Sequence, residues 1–472
     1  LKTEAKSMAT STRREFLSMA AVAAMASSLG KLDPDLLNAA KRGGNHSQSS
    51  VPNIVMVTID ALRADHVSFY GYHRNTTPNL DTFIAAQGVS FLRAFTTSPW
   101  TYAANAAMLT GQSPTQLAAS WDIAGLPTGI PTLAEILQKA GYQTAGFVSA
   151  VLLRETYGFQ RGFDHYDDSL TYGHPNSAQS VAQKINDLVF TWLDANRDSE
   201  KPLFLYIYYF DPHSWYNPPT PYDTIYDDSY TGTLTPEIFQ DGQPIVNGEI
   251  APSPRDIEHT LALYDGEIAY TDAKFGELMM SLQSREILDN ALITVTSDHG
   301  ESFGEHSKWA HASSLYEEAM QVPLFMRYSG VIDSDTIVHV PVSNMDLMPT
   351  ILDYADIAVP PELSATSLRP LVEQKQTAQR DIFCELDGMN DPSHWIYWNA
   401  SHFDLRAVYR DEWKYIHHVG YPDADELYRL NTTRVNETEN LIAIEPVIAQ
   451  QLQTTIMDNF GLWKNVLPFI AS

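Results

Sequence analysis

Three runs of apolar, β-branched and aromatic residues punctuate the chain: Ile54-Val55-Met56-Val57-Thr58-Ile59, Leu203 to Phe210, and Ala291 to Thr296. None alternates apolar with polar positions, so each reads as a strand buried on both faces. Each stops at residues able to bind metals or move protons: Asp60, then Asp211-Pro212-His213, then Ser297-Asp298-His299-Gly300. Open α/β sheets gather their sites at the carboxyl ends of parallel strands, and three such endings predict one shared site. Helical spacing covers Thr132 to Ala140, with Gly141 as the stop, and Leu261 to Leu282. A short helix is predicted over Ala103 to Leu109, while Asp211 to Pro254 reads as a long surface excursion. After about Gln376 the pattern shortens. Leu405–Tyr409 and Trp413–Ile416 flank Arg410-Asp411-Glu412 as a hairpin, Glu426 to Leu430 follows, and Pro446 to Phe460 is helical. The expected organisation is a large α/β domain over 51–375 and a small C-terminal α+β subdomain over 376–472.

The N-terminal 50 residues follow a different logic. Ser11-Thr12-Arg13-Arg14-Glu15-Phe16-Leu17 precedes an apolar, alanine-rich run from Ser18 to Leu29, the pattern of a twin-arginine-type signal. Ala24-Met25-Ala26 fits a small-residue cleavage site, and Leu37 to Ser50 reads as a linker. The apolar run is too short to span a bilayer, and no later stretch is long and apolar enough. The mature chain is therefore expected to be periplasmic or extracellular, with no integral membrane segment.

Composition narrows the partners. The formal net charge is -28, with 12 lysines and 18 arginines among 472 residues. Such a surface repels nucleic acid and anionic membranes. An anionic substrate then needs a local positive centre, which a bound metal supplies. The single cysteine, Cys384, excludes a disulfide framework and a multi-cysteine metal cluster, and reads as a small buried strand residue. Asp60, Asp298 and His299 offer two carboxylates and an imidazole, a set that suits a hard or borderline divalent cation. Ca, Mg or Mn is favoured, with Zn an option, especially if two metals bind.

An ordered series of segments carries a resemblance. Asn53 to Arg63, Tyr70-Gly71-Tyr72, Thr77 to Asp81, Ser98 to Gly111, Ala140 to Thr144, Gly162-Phe163-Asp164, Asp211-Pro212-His213, Ser297 to Glu301, Asp346 to Thr350 and Glu426-Leu427-Tyr428 resemble the sulfatase family in sequence order. The resemblance spans about Val51 to Ile442. It implies the alkaline phosphatase-like fold, a three-layer αβα sandwich around a mixed, mostly parallel sheet. In the family's Cys-x-Pro-x-Arg segment it aligns Thr101 with the reactive cysteine, Ala103 with the proline and Asn105 with the arginine. Sulfatases convert that cysteine, or a serine, into formylglycine, an aldehyde that threonine cannot give. Ala61 likewise stands where a second aspartate is usual, and Phe147-Val148-Ser149-Ala150 replaces a Lys-x-His.

These departures fall around the formylglycine machinery, whereas the metal-binding strand ends survive. Thr101 is therefore expected to be the nucleophile itself, activated by the metal and by the helix N-terminus. The resemblance places His213 near the leaving group and His311 where many members carry a sulfate-contacting lysine. His306 lies close by in sequence. Any of the three could protonate the leaving oxygen, bind the anion or ligate a second metal, and Asn105 and His306 are the candidates for substrate binding. The leading expectation is a metal-dependent hydrolase of small-molecule or glycan sulfate or phosphate esters. The alternatives are a phosphodiesterase or phospho-group transferase of the same superfamily, and a non-catalytic protein that binds anionic glycans.

Overall fold

The structure is a computed structural model and describes residues 51–171, 181–235, 245, 247–373, 380–389, 404–430 and 437–463. The signal, cleavage and linker segments of residues 1–50 lie outside the described residues, as does Gln376.

The run at 54–59 forms β1 (Asn53–Ile59), near the middle of a nine-stranded sheet. It is joined by β2 (Val89–Phe95), β3 (Gln143–Val148), β4 (His165–Asp167), β5 (Leu203–Tyr209) and β6 (Ala291–Ser297). A two-stranded ribbon, β7 (Ser302–Phe303) with β8 (Trp309–Ala310), precedes β9 (Gln321–Tyr328), β10 (Thr336–Val338) and β11 (Val342–Ser343). The spatial order is β10-β2-β9-β6-β1-β5-β3-β4, with β11 beside β2. Strands β4, β3, β5, β1 and β6 run parallel, and β9 is antiparallel to both its neighbours. The sheet is mixed and mostly parallel, as expected.

Helices cover both faces. Ile54 and Met56 of β1 pack with α1 (Thr101–Thr110), α2 (Leu133–Lys139) and, beyond β6, α5 (Leu347–Tyr354), whereas Val55, Val57 and Ile59 pack with α3 (Ala182–Asn196) and α4 (Pro254–Ser284). The period-2 alternation of strand side chains thus divides the apolar core into two layers, which is why the strands lack a polar face. Thr132 caps α2 through a reciprocal capping box with Glu135.

Two helices start earlier than the sequence expectation. α4 begins at Pro254, not Leu261, because Ser253 and Asp256 form a capping box with proline at the first helical position. α1 begins at Thr101, not Ala103. Trp100 is its N-cap residue, so Thr101 sits inside the first turn instead of capping it.

A second, antiparallel sheet contains β12 (Ile382–Leu386), β13 (Leu405–Arg410), β14 (Trp413–His418) and β15 (Glu426–Arg429). The β13–β14 hairpin turns through Asp411 in the left-handed region (φ 54°). Val408, Tyr415 and Leu427 on one face pack against Leu452 and Ile456 of α6 (Pro446–Trp463). The other face, with Cys384, Ala407 and Tyr409, joins the core of the main sheet, and Cys384 is fully buried as expected. Lys414 of β14 is also fully buried. Its Nζ lies 3.0 Å from Glu317 Oε1 and 2.6 Å from Glu437 Oε1.

That arrangement gives a stability prediction. Lys414→Met leaves two buried carboxylates without their cation, so the urea unfolding midpoint should fall by the equivalent of about 3–5 kcal/mol. An unchanged midpoint would contradict the pairing.

Candidate active site

β1 lies between β5 and β6 in register, with Ile59 opposite both Tyr209 and Ser297. The carboxyl ends of the three strands are therefore level. Asp60 follows β1, and Asp298 and His299 follow β6, all three at 0% exposure. Their potential ligand atoms lie within 4.8 Å of one another.

The two carboxylates are satisfied very differently. Asp298 Oδ1 accepts from the backbone N–H of His299 (3.0 Å) and of Ala61 (3.4 Å), and its Oδ2 accepts from Tyr208 OH (2.7 Å) and Asn105 Nδ2 (2.9 Å). Asp60 is buried with no hydrogen bond of normal geometry on either oxygen; the Tyr208 hydroxyl, which bonds Asp298, also acts on it. Its Oδ1 faces His299 Nε2 at 3.5 Å. Burial, then the charge of Asp298, push the Asp60 carboxyl well above the usual carboxylate range. An unsatisfied buried carboxylate is strongly unfavourable unless a cation meets it. Two carboxylates and an imidazole lone pair fit a divalent ion, so the expected metal set is compatible with the geometry.

Thr101 stands beside this set. Its Oγ1 is 3.2 Å from His299 Nε2. His299 Nδ1 donates to Gly300 O at 2.9 Å, which fixes the tautomer and turns the Nε2 lone pair toward Thr101 and Asp60. Burial holds the imidazole down at about 4, so it is neutral. One helical turn after Thr101, Asn105 uses its amide on Thr101 O (2.8 Å) and on Asp298, and its Oδ1 accepts from Tyr206 OH (3.0 Å). Its amide is thus committed to anchoring Asp298.

His311 and His213 join the cluster. The His311 ring stacks on His299 with centroids 4.3 Å apart, and His213 lies 4.8 Å from His311. His311 Nδ1 is 2.9 Å from Oε1 of the fully buried Glu301. His311 is flanked by Ala310 and Ala312, both in the left-handed region (φ 58° and 67°), and Ala312 N donates to Pro99 O. This places the histidine segment directly against the Thr101 segment. His306 is held elsewhere, 2.9 Å from Glu318 Oε1 through Nδ1 and donating to Glu437 O through Nε2 (3.0 Å), with its ring stacked on Tyr316. Both ring nitrogens are thus taken up by protein groups. Burial opposes its charge, but the contacts with Glu318 and Glu437 together outweigh burial and raise its pKa to about 8.

Asp211 is a further departure from the strand-end reasoning. Its carboxylate accepts from the N–H groups of Val181 and Ala182 at the start of α3. Tyr206 and Tyr208 were not singled out from sequence. Their two-residue spacing on a strand, which puts both on the α1 face, was the available signal. Glu301 and Ser297 lie in a matched segment that does not say what they touch, and Tyr264 carried no signal, because their roles depend on contacts across the fold.

Taken together, a hydroxyl in the first turn of a helix faces a buried Asp–Asp–His set at the carboxyl ends of a mostly parallel αβα sheet. This architecture is that of the alkaline phosphatase-like ester hydrolases. The sulfatase family model matches residues 52–357, well over half the chain, and the model for the N-sulphoglucosamine sulphohydrolase C-terminal region matches residues 304–460. The chain belongs to the sulfatase family. An arylsulfatase of Clostridium perfringens is 27% identical over 417 residues, covering 73% of this chain and 83% of that protein. A phosphonate monoester hydrolase from Silicibacter pomeroyi has a TM-score of 0.69 at 21% identity, covering 86% of this chain and 95% of that one. A protein solved with its substrate D-glucosamine-2-N,6-O-disulfate also gives a TM-score of 0.69, at 20% identity, covering 88% of this chain and 98% of that one.

Two predictions follow from the charges. Asp60→Asn removes the like-charge conflict with Asp298, so the protein in chelator should gain about 1–3 kcal/mol while losing divalent-cation affinity. A lower melting temperature in chelator would contradict this. The His306 pKa is raised in the folded state, so its stabilisation is present below its ordinary value of 6.5 and is lost as pH rises through about 8. Urea midpoints should decline across that window, and His306→Gln should flatten the decline.

Proposed function

We propose that this chain hydrolyses sulfate or phosphate esters of small molecules or glycans, with Thr101 as the nucleophile and Asp60, Asp298 and His299 as holders of a divalent cation. The observation that carries this reading is the His299 Nε2 lone pair, which lies 3.2 Å from the Thr101 hydroxyl and 3.5 Å from the buried carboxylate of Asp60. A divalent ion held there would lower the pKa of the Thr101 hydroxyl and offset charge on a non-bridging ester oxygen.

The protein's own groups then supply the remaining steps. Thr101 Oγ, its proton released to solvent, bonds to the sulfur or phosphorus as the bond to the leaving oxygen breaks; departure of sulfate or phosphate later returns the same oxyanion. His311 or His213 gives a proton to that oxygen. The same histidine next takes a proton from water, which attacks the threonine ester and restores Thr101. Glu301 orients His311 through Nδ1. A threonine ester has no second hydroxyl through which to eliminate sulfate, so water attack is required, and this demand favours phosphoryl chemistry between the two esters. The fold of the phosphonate monoester hydrolase fits the same direction. The substrate of the disulfate-bound structural relative supports a sulfated glycan instead, so both esters belong in the test. The arginine pair at Arg13-Arg14 supports export through a twin-arginine route. No helix among the described residues is long and apolar enough to cross a membrane.

The test is a panel of aryl sulfate, phosphate monoester, phosphodiester and phosphonate monoester substrates with Ca, Mg, Mn and Zn. Thr101→Ala should lower turnover by at least about a thousandfold while cation binding persists. Full activity in that variant would move the nucleophile elsewhere. A metal-loaded wild type that cleaves none of these esters would favour the non-catalytic, glycan-binding reading.

A further inference from the structure

The candidate ligands sit on two separate loops. Asp60 opens the turn Asp60-Ala61-Leu62-Arg63 after β1, and Asp298 and His299 follow β6. The first turn passes through Ala61 in the left-handed region (φ 55°), a conformation that costs an alanine about 1–2 kcal/mol. Side chains from two other elements hold it there. Tyr264 of α4 donates its hydroxyl to Ala61 O (2.7 Å) and accepts from Arg63 N (2.9 Å). Ser297, the last residue of β6, accepts from Leu62 N at 2.9 Å. The same Ser297 hydroxyl donates to His299 O at 2.6 Å. A fully buried hydroxyl therefore uses a lone pair on the loop bearing Asp60 and its proton on the loop bearing His299. The direct link between the loops, Ala61 N to Asp298 Oδ1, is longer at 3.4 Å.

We propose that Ser297 is a positioning residue that sets the spacing of Asp60 and His299 for a divalent cation, with Tyr264 as a second brace on the same turn. This inference rests on the cation reading of the site given above. Groups outside the ligand shell that orient its members commonly change metal affinity tenfold to a hundredfold. A hydroxyl that merely satisfied backbone groups would affect stability and leave affinity alone, so affinity of the folded protein is the discriminating quantity.

The experiment titrates the full chain with Mn²⁺ alone and reads free ion by electron paramagnetic resonance, with thermal melts in chelator confirming that each variant is folded. Ser297→Ala should bind Mn²⁺ about 10- to 100-fold more weakly than wild type. Ser297→Thr, which keeps the hydroxyl, should recover most of the loss. Thr294→Ala removes a buried hydroxyl with no hydrogen-bond partner from the same strand and should leave affinity unchanged. If Ser297→Ala does not fold, Tyr264→Phe carries the test, with an expected loss of about tenfold. Equal Mn²⁺ affinity in wild type and the folded variant overturns the positioning role. Absence of Mn²⁺ binding by wild type overturns the cation reading itself, and this inference with it.

Discussion

The confinement of two carboxylates in one buried place governs the rest of the site. Asp298 is satisfied by four donors, from the loop after β6, the Ala61 turn, α1 and β5. Asp60 has none of normal geometry. A fold that spends a buried, weakly partnered carboxylate beside another has arranged a place for positive charge. The elements that meet there are fixed by it. β1, β5 and β6 end level, α1 brings its first turn, and the 306–318 segment brings a histidine stacked on His299. The large acidic excess of the chain makes such a local positive centre more important for any anionic substrate.

On the proposed reading, the threonine is part of this arrangement and not a damaged sulfatase residue. Asn105, which stands where the family has an arginine, is hydrogen-bonded to Asp298 and receives Tyr206. Tyr208 supplies another donor to Asp298. The Asn105 side chain is thus knitted into support for the Asp298 carboxylate. The C-terminal sheet also contributes. Lys414 and Glu437 meet Glu317, and His306 bridges Glu318 and Glu437, so the segment bearing His311 is tied at its far end to β14 and to the chain beyond β15.

Much of this was legible in the sequence, and for identifiable reasons. β1, β5 and β6 were readable because strands buried on both faces must be continuously apolar, and their polar stops marked Asp60, Asp298 and His299. The end of α2 before Gly141 and the β13–β14 hairpin were readable from local helix-stop and turn chemistry. The strand-end argument gave His213 a place near the cluster but mistook the task of Asp211, which binds the start of α3, because a helix cap and a ligand look alike in one dimension. His306 and His311 were indistinguishable by proximity in sequence. Left-handed residues at Ser307 and Ala310 reroute the backbone between them, and no sequence pattern announces a left-handed alanine. The bracing contacts of Ser297 and Tyr264 were illegible for a similar reason, since their hydroxyls act across more than 200 residues of chain.

The central claim is that the Thr101 oxygen itself takes up the transferred group. Its most direct measurement is rapid quenching of the metal-loaded enzyme with an aryl sulfate or aryl phosphate ester, followed by mass analysis of the peptide that contains Thr101. The account predicts a sulfuryl or phosphoryl group on Thr101 in step with a burst of aryl alcohol release. An unmodified Thr101 peptide throughout turnover, together with full activity in Thr101→Ala, would contradict it.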